Sequence, residues 1–364
     1  MNYNIGIIGG GQLGMMMVEE AHKLGYTCAV LDPSKDCPCS KVCDYFIEGS
    51  FNKLADLDKL AKVSEVLSYE FENVDGKILS KLDDKYNIAQ GIKPLLDSQD
   101  RLREKMNALK NGLKTCKFYD CSSILDLKKA ISIIGFPCIY KTRRDGYDGH
   151  GQVVLNCESD IEKVKPYLEN NLGIIEEKID FDFECSIIMI RSKDQIIHFP
   201  ISRNIHKNGI LDLSIVPAKI DKKLEEEMIK QSINFMINAN YYGILTIEYF
   251  VKGDKFYFNE MAPRPHNSGH YTIEGCQTNQ FKELIKFLKE EKLEIPKLKS
   301  ETLMKNILGK DLINLDKLFE IPNGYIHMYH KKEKRINRKL GHITYRNMNE
   351  ELFSSYKKKL NIEE

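Results

Sequence analysis

The sequence has no excess of charge of either sign. It contains 54 Lys and Arg residues against 53 Asp and Glu residues, which gives a formal net charge of +1. A chain with this balance has no global positive field that would hold it on nucleic acid or on an anionic membrane. We therefore expect neither as a partner, and any basic site must be local.

Long apolar runs and a secretion signal are also missing. No stretch approaches the roughly 18 apolar residues of a membrane span. The start, MNYNIGIIGG, lacks a basic run followed by an apolar segment and a cleavage site. We expect a cytoplasmic protein. Its 364 residues, 42% of them apolar, are enough for about two or three domains with real cores.

The ten cysteines do not form a metal-binding or disulfide pattern. The densest group, Cys37, Cys39 and Cys43, contains no Cys-x-x-Cys pair. No second cluster of Cys or His is present to complete a tetrahedral zinc site. We expect reduced thiols with a structural role.

Residues 1–95 have the pattern of a parallel, doubly wound sheet. A β-rich run at 4–8 leads into glycines at 9, 11 and 14, helix formers continue to Gly25, and a second strand ends at Asp32. This spacing predicts a Rossmann-like βαβ unit. By itself the glycine turn indicates an anion site at the start of the helix, with Asp32 on a ribose hydroxyl if the ligand is a dinucleotide.

The rest of the chain divides into two further predicted domains. In residues 96–295 a helix-prone segment at 96–113 is followed by predicted strands and by helices near 158–170, 222–239 and 279–291. The strands are at 136–143, 152–156, 173–179, 184–192, 243–251 and 255–261. We expect a mainly antiparallel sheet here, and a small C-terminal β domain at 296–364 with a basic stretch at 331–346. The fold class is thus α/β combined with α+β.

Two features of the central region indicate phosphate and metal chemistry. Lys141 lies on an apolar strand just before a glycine loop at 146–152, whose amides could fold over phosphates while the lysine supplies charge. Glu248 and Glu260 lie on two strands joined by a turn. If 253–255 form a three-residue loop, these carboxylates pair directly, roughly 5 Å apart. Such a pair suits Mg²⁺ held together with substrate phosphates, with Asn259 as a further oxygen ligand.

The segment 261–270 is rich in hydrogen-bond donors and poor in apolar residues. Arg264 offers a planar fork for bicarbonate, carboxylate or phosphate, and His266, Asn267 and Ser268 can add hydrogen bonds. We interpret it as an anion-binding loop next to the metal site.

Seven segments together resemble the N5-carboxyaminoimidazole ribonucleotide synthetase family, ATP-grasp ligases of purine biosynthesis. They follow the family's order: GGGQLG at 9–14, YEFENV at 69–74, QDR at 99–101, GYDGHGQ at 146–152, EEKIDFDFE at 176–184, NEMAPRPHNSGH at 259–270 and RKLGH at 338–342. The resemblance implies that ATP and bicarbonate form carboxyphosphate. The 5-amino group of aminoimidazole ribonucleotide then takes up the carboxyl group, with release of ADP and phosphate. It also implies Mg²⁺ (or Mn²⁺) as cofactor, ATP as co-substrate, small-molecule partners and a homodimer.

The same resemblance implies a role for each matching residue. The metal would lie on Glu248 and Glu260, and the catalytic residues would be Lys141, Asp148, Arg264 and His266. ATP contacts would come from Arg101, Lys141, Gly146, Tyr147, Asp148, Gly149, His150, Gly151, Gln152, Glu176, Glu177, Lys178, Ile179, Glu184, His206, Asn259 and Glu260. The nucleotide substrate, including its phosphate, would contact Gln12, Leu13, Glu70, Tyr147, Asp148, Arg264, His266, Asn267, Ser268, Lys331 and Arg338. Three positions depart from the family pattern: His150 replaces a usual Lys or Arg, Asn337 stands in the usual Pro-Gly-Arg-Lys run, and Tyr271 replaces the usual Trp.

Three other functions are alternatives. Another ATP-grasp ligase of purine or carboxylation metabolism would use the same central machinery. A nicotinamide-dependent oxidoreductase is indicated by residues 5–32 alone, and it leaves Lys141, Glu248 and Glu260 without roles. An RNA-binding module on 331–346 conflicts with the near-zero net charge.

Overall fold

The computed structural model describes residues 2–144, 146, 150–169, 172–349, 351–354 and 356, apart from the side chain of residue 314. Its first part is a four-stranded parallel sheet in the order β3-β2-β1-β4. The strands are β1 (Tyr3–Ile8), β2 (Cys28–Asp32), β3 (Tyr45–Glu48) and β4 (Ser64–Tyr69), and the helices are α1 (Gln12–Lys23), α2 (Leu54–Lys62) and α3 (Gly76–Asp83). The strands consist mainly of consecutive apolar residues because helices cover the sheet, which is usual for parallel sheets. The predicted parallel sheet is confirmed, with β3 as a strand that the sequence interpretation missed.

A second sheet of four antiparallel strands follows, in the order β5-β8-β6-β7. Two helices, α4 (Lys93–Ser98) and α5 (Arg101–Lys110), lead into it. Its elements are β5 (Phe118–Cys121), α6 (Ile124–Ile134), β6 (Cys138–Thr142), β7 (Gln152–Leu155), α7 (Lys165–Leu168) and β8 (Gly173–Glu177). Lys141 lies on β6, and the glycine loop joins β6 to β7.

The third sheet has nine strands and contains both central and C-terminal segments. Its order is β14-β13-β9-β11-β12-β15-β17-β16, with β10 paired to β9. The strands are β9 (Phe183–Arg191), β10 (Ile196–His198), β11 (Ser202–Lys207), β12 (Ile210–Val216), β13 (Gly243–Lys252), β14 (Lys255–Ala262), β15 (Thr302–Leu308), β16 (Gly324–Met328) and β17 (Lys339–Arg346). The helices are α8 (Lys222–Asn238), α9 (Thr272–Gly275), α10 (Gln280–Leu288) and α11 (Leu315–Phe319). The C-terminal strands therefore extend the central sheet, because β15 pairs with β12.

A shared core joins the first sheet to the third. Met16 and Met17 of α1 are buried in the same apolar cluster as Phe281 and Leu284 of α10. This packing fixes the glycine turn that precedes α1 relative to the third sheet. None of the described helices is both long and apolar enough to cross a membrane. The boundaries at 95/96 and 295/296 stay predictions.

Candidate active site

One cleft of about 810 Å³ is lined by residues of the second and third sheets and by the start of α1 and the segment that follows β4. Most of the residues that the sequence singled out contribute to its lining. These are Gln12, Leu13, Glu70, Arg101, Lys141, Gly146, Gln152, Glu176, Glu177, Lys178, Ile179, Glu184, His206, Glu248, Asn259, Glu260, Arg264, His266 and Asn267. The structure thus brings together segments that are up to about 250 residues apart in the chain.

The other expected site residues fall into two groups. His150, Gly151, Ser268, Lys331 and Arg338 do not line this cleft. Tyr147, Asp148 and Gly149 are outside the described residues. Their proposed roles stay predictions.

The carboxylate pair forms, although the turn that joins its strands differs from the expected one. Lys252 pairs with Lys255, so the loop has two residues and not three. That loop alone would place Asn259 opposite Glu248. A β-bulge at Asn259 inserts one extra residue into β14, so that Glu248 pairs directly with Glu260. The predicted pairing is therefore present for a reason other than the one inferred from the sequence.

The two paired carboxyl groups have different electrostatic surroundings. Burial raises the pKa of Glu248 to about 8, and the neighbouring Glu260 carboxylate adds to the shift. Burial also acts to raise the pKa of Glu260, but Arg101 and Lys141 outweigh it and lower that pKa. Arg101 Nη1 lies 3.2 Å from Glu260 Oε2.

These groups fit a hard divalent cation. A cation between the carboxylates would relieve their mutual repulsion, and the buried Oδ1 of Asn259 has no hydrogen-bond partner among the described atoms. Within the described part of the chain, no group of three His, Cys, Asp or Glu side chains forms a metal site. A metal here would therefore need ligands from the substrate as well, which is the usual arrangement for Mg²⁺.

Lys141 is held in place by a buried ion cluster. Its ammonium lies 2.8 Å from Glu176 Oε2, and Lys105 of α5 lies 3.3 Å from Glu176 Oε1. Burial acts to raise the pKa of Glu176, but the two lysines outweigh it and lower that pKa to about 2. The Glu176 carboxylate therefore fixes the lysines rather than standing free for a ligand.

The nearby wall of the cleft combines an aromatic surface with a charged pair. The rings of Phe181 and Phe250 stack with centroids 4.6 Å apart, and both residues line the cleft. Glu184 accepts a hydrogen bond from His206 Nδ1. Burial acts to lower the pKa of His206, but this hydrogen bond and the charge of Glu248 raise it overall.

The loop after β14 presents a restrained arginine and a neutral histidine. Two N–H groups of Arg264 donate to Glu72 and a third donates to the Pro265 carbonyl, which leaves others for an anion. The Ser268 amide donates to His266 Nδ1 at 3.3 Å, so Nδ1 is an acceptor. Burial lowers the pKa of His266 well below its usual value. The hydrogen-bond network thus assigns the proton to Nε2, 3.2 Å from Glu248 Oε1.

Ser268 and Asn267 have different positions in this loop. The Ser268 hydroxyl is fully buried and bonds to His266 Nδ1 and to Ser186, so it lies behind the histidine rather than in the cleft. Asn267 lines the cleft, and both polar atoms of its side chain are buried without partners among the described atoms. Unpartnered buried polar atoms of this kind call for a ligand or water.

In the glycine turn before α1, three glycine amides donate to carboxylates of the chain itself. The Glu70 carboxylate accepts the amides of Gly11 (2.7 Å) and Gly14 (2.9 Å), and Asp32 accepts the Gly10 amide (2.9 Å). A Cβ on Gly11 would lie 2.5 Å from Glu70 Oε1, so the close approach requires glycine. These three glycine amides are therefore taken by the chain's own carboxylates, whereas Gln12 and Leu13 line the cleft, and the expected phosphate site at the start of α1 stays a prediction. The same contacts disfavour the dinucleotide interpretation, because Asp32 and Glu70 already accept the glycine amides that a pyrophosphate would need.

The C-terminal basic stretch contributes a residue other than those expected. Arg338 pairs with Glu333 at 2.5 Å, and the Lys331 ammonium lies 5.6 Å from the centroid of the Tyr329 ring. Lys339, the first residue of β17, lines the cleft instead. Sequence reasoning missed this lysine. The RKLGH segment contains it, but nothing in the sequence distinguishes it from the neighbouring basic residues.

This cleft, in which an antiparallel sheet with a buried lysine faces a hairpin with paired carboxylates, defines an enzyme of the ATP-grasp class. The family model of the ATP-grasp domain matches residues 106–281. Models of the ribonucleotide synthetase preATP-grasp domain and the phosphoribosylaminoimidazole carboxylase C-terminal domain match 1–96 and 302–355. The chain belongs to the N5-carboxyaminoimidazole ribonucleotide synthase family.

Individual relatives support this membership over nearly the whole length. N5-carboxyaminoimidazole ribonucleotide synthase of Staphylococcus aureus strain MRSA252 is 42% identical over 357 residues, which covers 94% of each chain. The structure of N5-carboxyaminoimidazole synthetase from Staphylococcus aureus complexed with ADP has a TM-score of 0.94 and 39% identity, over 99% of this chain and 96% of that one. The Aspergillus clavatus N5-carboxyaminoimidazole synthase in complex with ADP and 5-aminoimidazole ribonucleotide has a TM-score of 0.92 and 26% identity, over 99% and 98%. The predicted family, fold class and ligase activity are confirmed.

Proposed function

We propose that this chain carboxylates 5-aminoimidazole ribonucleotide with bicarbonate in purine biosynthesis, at the expense of ATP. The products would be N5-carboxyaminoimidazole ribonucleotide, ADP and phosphate, with carboxyphosphate as the intermediate. The observation that carries the proposal is that one cleft joins a lysine of the second sheet, the carboxylate pair of the third and the Arg264–Asn267 loop. A phosphate-transfer site and an anion site next to it are what this reaction requires.

In this proposal ATP lies between the second and third sheets. The adenine base would pack against the apolar Phe181–Phe250 pair and form hydrogen bonds with the polar segment 177–179. The ribose would contact the Glu184–His206 pair, which lines the same cleft. Lys141 and Arg101 bring positive charge toward the phosphates. Because Glu176 and Glu260 hold these two side chains, their charges are oriented before ATP arrives.

Glu248, Glu260 and Asn259 would hold Mg²⁺ or Mn²⁺ together with the phosphates of ATP. When bound, the metal would neutralise charge on the phosphates during transfer. Ionised Glu248 would then be favoured over its protonated form, against the effect of burial.

The Arg264 loop would receive bicarbonate and the acceptor amine. The remaining N–H groups of Arg264 suit a planar anion, the Nε2 proton of His266 can be donated, and Asn267 has unpartnered donor and acceptor atoms. Glu70, Gln12 and Leu13 close the opposite side, and Lys339 adds a positive charge. We further propose a homodimer in the cytoplasm, on the family resemblance alone.

A coupled ATPase assay tests the substrate assignment. Carboxyphosphate is short-lived in water, so ATP hydrolysis is expected to be low with MgATP and bicarbonate alone and to rise strongly on adding aminoimidazole ribonucleotide. Asp148→Ala is expected to weaken this stimulation more than it weakens ATP binding. Equal hydrolysis with and without the acceptor, or stimulation by glycinamide ribonucleotide instead, would contradict the proposal and leave an ATP-grasp ligase of another substrate.

A further inference from the structure

We infer that helix α5 positions the carboxylate pair by holding the β14 bulge, and that Glu104 is the positioning residue in this contact. The inference rests on the proposed function only in assigning Glu248 and Glu260 to the metal. Nothing in the sequence analysis gave Glu104 a role.

Three side chains on one face of α5 contact three consecutive residues of β14. Arg101 Nη1 donates to the Glu260 carboxylate at 3.2 Å, and Lys105 Nζ donates to the Asn259 carbonyl at 3.2 Å. Glu104 Oε1 accepts the Met261 amide at 2.6 Å. Because positions i, i+3 and i+4 share a helix face, one rigid element holds the bulge and the residues on each side of it.

These contacts are needed because β14 is the edge strand of the nine-stranded sheet. On the side of β14 that faces away from β13, the Phe258 amide donates to the Lys114 carbonyl. Beyond that point the helix supplies the partners, at the Asn259 carbonyl and the Met261 amide. Glu104 and Lys105 are 2% and 1% exposed, so water is not available to replace these hydrogen bonds. Losing the Glu104 acceptor would leave a buried amide unsatisfied next to Glu260.

The position of the bulge decides which face of the hairpin Glu260 occupies. Without the extra residue, the two-residue loop would place Asn259 opposite Glu248 and Glu260 opposite Ile247. Since side chains alternate along a strand, Glu260 would then point to the other face. An element that fixes the bulge therefore fixes the separation of the two carboxylates.

The contact requires an acceptor of the right length rather than a charge. Burial raises the pKa of Glu104 to about 8, and the neighbouring Glu260 carboxylate adds to that shift. A neutral side chain with an oxygen in the same place should therefore serve, whereas a shorter carboxylate should not reach the Met261 amide. If Glu104 were instead a third metal ligand, its negative charge would be required and its exact length would matter less.

Two substitutions at Glu104 separate length from charge, and Met106 provides a control on the same helix. Glu104→Gln keeps the acceptor and loses the carboxylate, while Glu104→Asp keeps the carboxylate and shortens the side chain. Met106 is 57% exposed, so Met106→Ala changes α5 away from β14. The measurements are Mn²⁺ affinity in the presence of ADP, by electron paramagnetic resonance, and hydrogen exchange at the Met261 amide. For each variant, the change in the Mg²⁺ concentration that gives half-maximal ATPase activity is compared with the change in kcat.

We expect Glu104→Asp to weaken Mn²⁺ binding about tenfold and to speed exchange at Met261. In the same variant the half-maximal Mg²⁺ concentration should rise more than kcat falls. Glu104→Gln and Met106→Ala should stay within about twofold of the unchanged protein.

Two results would overturn the inference: unchanged exchange at Met261 in Glu104→Asp, or a greater loss of Mn²⁺ affinity in Glu104→Gln than in Glu104→Asp. Neither binding nor exchange requires aminoimidazole ribonucleotide, so a wrong substrate assignment leaves this test intact. If the unchanged protein failed to bind Mn²⁺ with ADP, the proposed metal site would be refuted, and exchange at Met261 alone would decide the role of Glu104.

Discussion

At the scale of single residues, substitution of Glu248 or Glu260 is expected to have the largest effect on turnover. Glu248→Gln or Glu260→Gln removes half of the charge that would hold the metal, while the amide keeps the size and hydrogen-bonding capacity of the side chain. We expect less than about a tenth of the original turnover, a barrier increase above ~1.4 kcal/mol. Steady-state ATPase activity at saturating Mg²⁺ measures this.

The matched control for these substitutions is Glu290→Gln. The Glu290 side chain is 78% exposed and pairs with Lys193 at the surface, so this variant should retain full activity. Retention of more than about a tenth of the activity in Glu248→Gln or Glu260→Gln would refute the metal assignment.

Other residue-scale features depend on contacts that sequence does not reveal. The glycine spacing at 9–14 predicted an anion site, and the anion that the Gly11 and Gly14 amides bind is the chain's own Glu70, which comes 59 residues after Gly11. The same spacing serves a phosphate or a carboxylate, because both need free amides and no Cβ. Only the folded structure decides between them.

At the scale of elements, Glu176 ties β8 to β6 and α5 through Lys141 and Lys105. Glu176→Gln would leave two buried lysines without their anion, so we expect it to lower the free energy of unfolding at pH 7 by about 3–5 kcal/mol. The carboxylate has a pKa of about 2 in the folded protein, below its ordinary value of 4.5. Its contribution is therefore complete above about pH 4.5 and is lost as the pH falls toward 2.

Urea unfolding at pH 7, 5 and 4 measures this difference. Glu162→Gln serves as the control, because Glu162 forms an exposed pair with Lys165 and should change the stability by under about 1 kcal/mol at each pH. A Glu176→Gln variant as stable as the unchanged protein at pH 7 would contradict the buried-cluster account.

Element by element, the predictions succeeded where a periodic pattern was strong. The parallel strands and the long helix α8 followed from apolar periodicity. Strands β11 and β12 were missed because polar side chains interrupt them, although Asn208 and Gly209 between them both have positive φ, as an Asn-Gly hairpin turn requires. The bulge at Asn259 could not be inferred, since its position depends on α5, which lies more than 140 residues earlier in the chain.

At the scale of the whole molecule, a ligand that binds in the cleft should raise the stability of the fold, and a compound that does not bind there should leave it unchanged. A ligand that binds only the folded chain at 100 times its dissociation constant adds about 2.7 kcal/mol of stability. We expect MgATP to raise Tm and NAD to leave it unchanged, because Asp32 and Glu70 occupy the amides that a dinucleotide would use. Because the chain has no Trp and 18 Tyr residues, tryptophan fluorescence cannot report unfolding. Circular dichroism is used to measure Tm instead.

The comparison of the two nucleotides decides between the remaining classes of function. A shift with NAD equal to that with MgATP would favour the oxidoreductase interpretation. Short RNA serves as a third arm, and a shift with RNA alone would favour a nucleic-acid module.

The pairing of β12 with β15 has a consequence for synthesis on the ribosome. The chain emerges from its N-terminus, yet the nine-stranded sheet needs β15, β16 and β17, which are made after β12. Until then the edge of β12 is unpaired and open to pairing with another nascent chain. We expect the sheet to be completed only after β15 has emerged, so that premature termination before Thr302 yields an aggregating product rather than a shorter enzyme.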